Sequence, residues 1–161
     1  IHPLQAFVTE PLKPWLDAII VSGSLHMYMS QSTRGELVAG AALDPYALIS
    51  TRSTLDFAEG LAQNMVDLFP CLASVNVLRQ WAGLCDMTPD FSQIMGTTPI
   101  PGFYLDAGWG TYGFKATPIC GKTMAYTIAR NEDHELIRPF NLSRFEDFAL
   151  IGEKGAAAVG H

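Results

Sequence analysis

Charge is scarce in this sequence. Only 16% of its 161 residues are Asp, Glu, Lys or Arg, against 48% hydrophobic residues, which is apolar for a free-standing soluble domain. The shortfall implies that other polypeptide covers much of the surface, or that a cofactor fills the interior. Basic residues are scarcer still. Ten Lys and Arg against sixteen Asp and Glu leave a net charge of −6, with no basic cluster to track a phosphate backbone, which argues against a nucleic-acid groove. No apolar run approaches the roughly 18 residues of a membrane span. The start, Ile-His-Pro-Leu-Gln, has neither the basic nor the apolar region of a signal peptide. It also has no initiator methionine, and it reads as the start of a fragment. Cys71, Cys85 and Cys120 are odd in number and without metal-ligand spacing, consistent with scattered thiols in a reducing cytoplasm and with no metal site.

What is present is ordered periodicity. Gln5 to Leu12 and Glu36 to Ala41 read as strands. Leu25 to Gln31 and Val75 to Gly83 alternate apolar and polar residues with the period of a half-buried strand. Between the last two of these, Leu55, Ala58, Leu61, Ala62, Met65, Leu68 and Phe69 recur at helical spacing. Ser53 is the expected N-cap with Asp56 three residues on, and Pro70 stops the helix. After Gly83 the chain becomes loop-rich. A strand from Phe103 to Ala107 then enters a glycine-rich turn, and Thr117-Pro118 predicts a helix start that runs to about Ala129. The tail from Gly152 has no packing pattern. The fold class is α+β: an antiparallel sheet with a helix, followed by a strand–turn–helix unit.

The turn Gly108-Trp-Gly-Thr-Tyr-Gly-Phe-Lys115 carries the chemistry. Glycine permits close backbone approach to a flat ligand. The following helix directs unpaired amides and partial positive charge toward the turn, and Lys115 adds a full charge. Such a site suits an anion, or a ring that becomes anionic on reduction, which is the differential stabilisation catalysis requires. The spacing Gly108-x-Gly110-x-x-Gly113 matches the bare dinucleotide fingerprint, without the downstream acidic residue and second strand. On these residues alone, a turn whose glycines serve only backbone geometry remains an equal reading.

Trp81-Ala-Gly83, Asp86-x-Thr88-Pro-Asp90, Gly96, Tyr104-x-x-Ala107-Gly108 and Gly113-Phe-Lys115, in that order, resemble the family of glycine oxidase, sarcosine oxidase and D-amino acid oxidase. Gly35-Glu-Leu37 and Leu68-Phe-Pro70 extend the resemblance upstream, so it covers most of residues 5–130. Arg144-Phe145 and the tail from Gly152 to His161 resemble the C-termini of the beta subunits of heterotetrameric sarcosine oxidases.

The resemblance implies three parts. Residues 1–101 are mainly substrate-side antiparallel sheet with one helix, residues 102–130 a returning segment of a Rossmann-like FAD domain, and residues 131–161 a C-terminal extension and tail. It implies flavin contact through Gly110, Thr111, Tyr112, Gly113, Phe114 and Lys115. Lys115 serves as the catalytic residue, anchoring the substrate carboxylate and stabilising reduced flavin. The implied activity is oxidation of sarcosine to glycine with FAD, electrons passing to a covalently held FMN and to dioxygen with formation of hydrogen peroxide.

The FMN attachment would lie N-terminal to residue 1. NAD on a partner subunit, tetrahydrofolate, the alpha, gamma and delta subunits and the other half of this subunit complete the implied partners, in the cytoplasm. Two departures bear on this. The strand Glu36-Leu-Val-Ala-Gly40 has no lysine, where monomeric relatives use one for oxygen reduction. Cys85 is out of register with the cysteine that tethers FAD in those relatives, so non-covalent FAD is expected. His26 on its strand could face an active site and is left unassigned. The contrasting function is a non-catalytic module that binds a small ligand or another subunit.

Overall fold

The computed structural model describes residues 1–41, 47–111 and 113–151. They fall into two compact units, which divide between Leu84 and Cys85.

The first unit is a sheet with a helix. Five strands, β1 (His2–Pro11), β2 (Ile20–Ser22), β3 (Met27–Gln31), β4 (Glu36–Ala41) and β5 (Val77–Cys85), lie in the order β2-β3-β4-β1-β5. β3 and β4 form a hairpin, pairing antiparallel from Met27 opposite Ala41 to Gln31 opposite Leu37. Gly35 turns the chain at φ 105°, and a Cβ there would collide with the Leu12 carbonyl. β1 pairs antiparallel with the other edge of β4, with a register shift between Val8 and Pro11. Proline offers no N–H to a ladder, so it belongs at such an irregular end.

Helix α1 (Leu55–Leu68) buries Leu61 and Met65, one turn apart. They join Phe7, Met27, Met29, Leu37, Ala39 and Leu72 in one apolar core. The N-cap is Thr54, not the expected Ser53: the Thr54 hydroxyl accepts from the Phe57 amide at 3.3 Å. Thr54 wins because Gln5, buried on β1, clamps it. The Gln5 Oε1 accepts from the Thr54 amide at 2.8 Å, and the Gln5 Nε2 donates to the Thr54 hydroxyl at 3.2 Å. The Ser53 hydroxyl is buried without a hydrogen-bond partner among the described residues.

β5 departs from the expected half-buried pattern. It is exposed along both faces from Val77 to Trp81, and only its last residue, Cys85, is buried. His26, expected on a strand, lies in the turn before β3 at φ 50°.

The second unit contains a two-stranded antiparallel sheet and one long helix. β6 (Ile94–Thr97) pairs with β7 (Tyr104–Ala107). β6 falls where the sequence reads as loop, because four residues around Gly96 carry too little periodicity to register. Gly96 sits at φ 122°, and a Cβ on it would strike the Asp133 carboxylate. That carboxylate instead accepts from the Thr97 amide at 2.7 Å. Helix α2 (Gly113–Arg130) buries Cys120, Thr123, Met124 and Thr127. Met95, Cys120, Met124 and Ile137 make the core, with Tyr104, Trp109, Ala116 and Phe140 against it. Asn131 ends α2 in the left-handed conformation that suits an Asn cap.

Candidate functional site

The glycine turn is built by the loop that precedes it. The Asp86 carboxylate accepts from the amides of Gly108 at 2.8 Å and Gly110 at 3.1 Å, one through each oxygen. A bidentate carboxylate on two amides is a charge-assisted clamp. Both glycines have positive φ, 70° and 50°. The space a Cβ would take at Gly108 is filled by Thr88 Cγ2, and at Gly110 by Met87 Sδ. A side chain at 108 or 110 is therefore refused by the chain's own packing. Trp109 is pinned as well, its indole N–H donating to Asp106 at 2.7 Å.

The helix begins earlier than Thr117-Pro118 predicts. α2 starts at Gly113, so Gly113, Phe114 and Lys115 form its first turn and Pro118 lies inside it. The Thr117 hydroxyl bonds back to the Gly113 carbonyl at 2.7 Å. A proline six residues into a helix forfeits only the bond to the Phe114 carbonyl, and the helix tolerates that near its start. The Thr-Pro pair signals a cap so strongly that sequence reading places the boundary one turn late.

The open amides lie at Gly113, Phe114 and Lys115, which have no acceptor within the helix. No acidic residue occupies this first turn to neutralise it. Phe114 is 98% exposed, and Lys115 is exposed beside it. Thr111 is exposed just before them, and Tyr112 lies outside the described residues. Gly110, Thr111, Gly113, Phe114 and Lys115 thus lie on one stretch of chain either side of Tyr112, with Thr111, Phe114 and Lys115 exposed.

The matched family brings this segment into context. The profile of the FAD dependent oxidoreductase family, DAO, matches residues 3–127. The chain belongs to this family. It is 46% identical over 160 residues to sarcosine oxidase subunit beta of Arthrobacter sp, which covers 99% of this chain and 40% of that protein. It is 44% identical over 157 residues to sarcosine oxidase subunit beta of Rhizobium meliloti, covering 98% and 38%. The chain thus spans about two fifths of the length of these relatives.

Solved structures share the fold. L-proline dehydrogenase from P. horikoshii superposes with a TM-score of 0.86 at 24% identity, covering 93% of this chain and 41% of that one. Glycine oxidase from Geobacillus kaustophilus gives 0.78 at 19% identity, covering 89% and 38%.

An FAD-dependent family implies a flavin, and the donor set can be tested for fit. The first-turn amides, Lys115 and the missing first-turn acid suit a ring that gains negative charge, so the residues present fit the group. Cys85 is a poor tether. Burial, and then the neighbouring Asp86 charge, push its thiol above the ordinary range, which suppresses the reactive thiolate. Among the described residues no group of three or more His, Cys, Asp and Glu could hold a metal. None of the helices there is long and apolar enough to cross a membrane.

Sequence reasoning missed Asp86 as the clamp of the turn and Arg144 as the holder of the loop that carries it. Asp86 stood in the quoted motif, but nothing in its spacing reveals a bond to residues 22 and 24 positions on.

Proposed function

We propose that this chain forms the substrate-side sheet and the flavin-facing return of an FAD-dependent amine oxidase that converts sarcosine to glycine. The segment boundaries at residues 101 and 130 belong to that reading. The observation that carries it is the open first turn of α2. Gly113, Phe114 and Lys115 make that turn without an acidic residue, Phe114 and Lys115 are exposed, and Asp86 clamps the glycine turn that leads into it. The likeness to sarcosine oxidase beta subunits supports sarcosine as substrate.

Gly110, Thr111, Tyr112, Gly113, Phe114 and Lys115 would hold the flavin ring by backbone contact, non-covalently. FAD would supply the two-electron acceptor, and an FMN held elsewhere in the subunit would pass the electrons to dioxygen, giving hydrogen peroxide. Lys115 binds the substrate carboxylate, orients the amine and offsets charge that appears as the bond to hydrogen breaks. Alpha, gamma and delta subunits, an NAD carried by one of them and a tetrahydrofolate acceptor for the one-carbon unit complete the assembly, in the cytoplasm.

The test uses the complete protein. Lys115→Met is expected to retain flavin colour and to slow anaerobic flavin reduction by sarcosine roughly 100-fold. Unchanged reduction would remove Lys115 from catalysis. If the unsubstituted protein takes up no FAD, the flavoenzyme reading itself fails.

A further inference from the structure

Beyond the residues matched by the family profile lies the most heavily bonded side chain of the second unit. Arg144 sits in a short 3-10 turn, Leu142–Phe145, with 2% of its surface exposed. Its guanidinium grips Asp90, itself 6% exposed, with Nε to Oδ2 at 2.8 Å and Nη2 to Oδ1 at 3.0 Å. Nη2 also donates to the Ser92 carbonyl at 2.7 Å. Nη1 donates to the Phe140 and Asn141 carbonyls at 2.9 and 3.0 Å. All of these acceptors belong to the chain itself, so the guanidinium is spent on structure and not on a ligand.

What it holds is the loop that shapes the glycine turn. Asp90 also accepts from the Ser92 and Ile151 amides at 3.3 and 3.1 Å. The Thr88 hydroxyl closes the loop onto the Ser92 carbonyl at 2.7 Å. Thr88 and its two predecessors are the residues that meet the turn: Asp86 through two amides, Met87 against Gly110, Thr88 against Gly108. Four residues at most separate any of these contacts from Asp90. A continuous path of bonds and packed atoms therefore runs from Arg144 through Asp90 and Thr88 to the turn, ending one turn of backbone from Lys115.

We propose that Arg144 is a positioning residue for the cofactor site, setting the turn through the 86–92 loop, an inference that rests on reading that turn as a flavin wall. The C-terminal extension is then a strut of the site and not only a surface for other subunits. Lysine cannot substitute, because a single ammonium does not reproduce a bidentate fork with three further carbonyl acceptors.

The experiment uses the complete flavoprotein, deflavinated and titrated with FAD, with Arg144→Lys and Arg144→Met beside Leu61→Ala, a core truncation in the other unit. Both Arg144 variants are expected to raise the FAD dissociation constant roughly tenfold or more and to speed amide exchange at Gly108 and Gly110 in the apoprotein. Leu61→Ala is expected to lower the melting temperature with FAD affinity and those two amides unchanged. Arg144 variants that melt early yet bind FAD and protect both amides like the parent would overturn the proposal, as would failure of both to fold, since Arg144 would then serve folding alone. Lack of FAD uptake by the parent protein would instead defeat the flavoenzyme reading.

Discussion

Asp90 shows what a single buried carboxylate contributes here. Burial alone would raise its pKa. Burial is the largest single influence, and the Arg144 hydrogen bonds, the Ile151 and Ser92 amides and the Arg144 charge outweigh it only together, holding the group down at about 2. A depressed folded-state value gives stability that is complete above the unfolded carboxylate pKa of roughly 4 and disappears as pH falls through the folded one. The expected outcome is an acid-induced loosening of the second unit between about pH 4 and pH 2, read by thermal melts across that window. In Asp90→Asn the window should flatten, and an unchanged pH profile in that variant would contradict the assignment. Removing Arg144 instead leaves the buried carboxylate without its cation, held only by the Ser92 and Ile151 amides and the Thr88 hydroxyl, at a cost on the order of 3–5 kcal/mol. Nothing in the sequence pairs these two residues, because 54 positions separate them. Each carried a family resemblance; the bond between them did not show.

At the scale of elements, legibility followed length and periodicity. The β3–β4 hairpin and α1 were readable because alternation and a helical stripe persist over enough residues to be distinctive. β2 and β6 were not, being three and four residues long. The start of α2 was misplaced by a strong local signal, Thr117-Pro118, that tertiary packing of Ala116 and Trp109 against the core overrides. The cap of α1 was missed by one residue, since the deciding partner, Gln5, lies 49 positions upstream. Two consequences can be measured. Thr54→Ala should cost about 1 kcal/mol through the lost cap. Gln5→Leu should cost about 1 kcal/mol, because it strands the half-buried Thr54 amide. Denaturant unfolding of the two variants separates cap from clamp: an undiminished stability in Gln5→Leu would mean that Gln5 acts only by filling space.

The molecule as a whole shows much uncovered apolar surface. In the first unit Val77, Leu78, Trp81 and Leu84 are exposed along β5. In the second, Phe114, Ile119 and Ile128 are exposed along α2. A strand that is apolar on both faces belongs inside a structure, not at its edge. The 161-residue chain expressed by itself is therefore expected to associate and to bind an apolar dye; a monomeric, dye-silent product in light scattering and fluorescence would show these surfaces to be tolerated in water. The apolar excess visible in the composition thus has an address in the fold. The Arg144 strut adds a matter of timing. A ribosome builds the glycine turn before it builds the residue that steadies it. Asp90 is made 54 residues before Arg144, so the loop that clamps the glycine turn waits for its cation until the C-terminal segment has been synthesised.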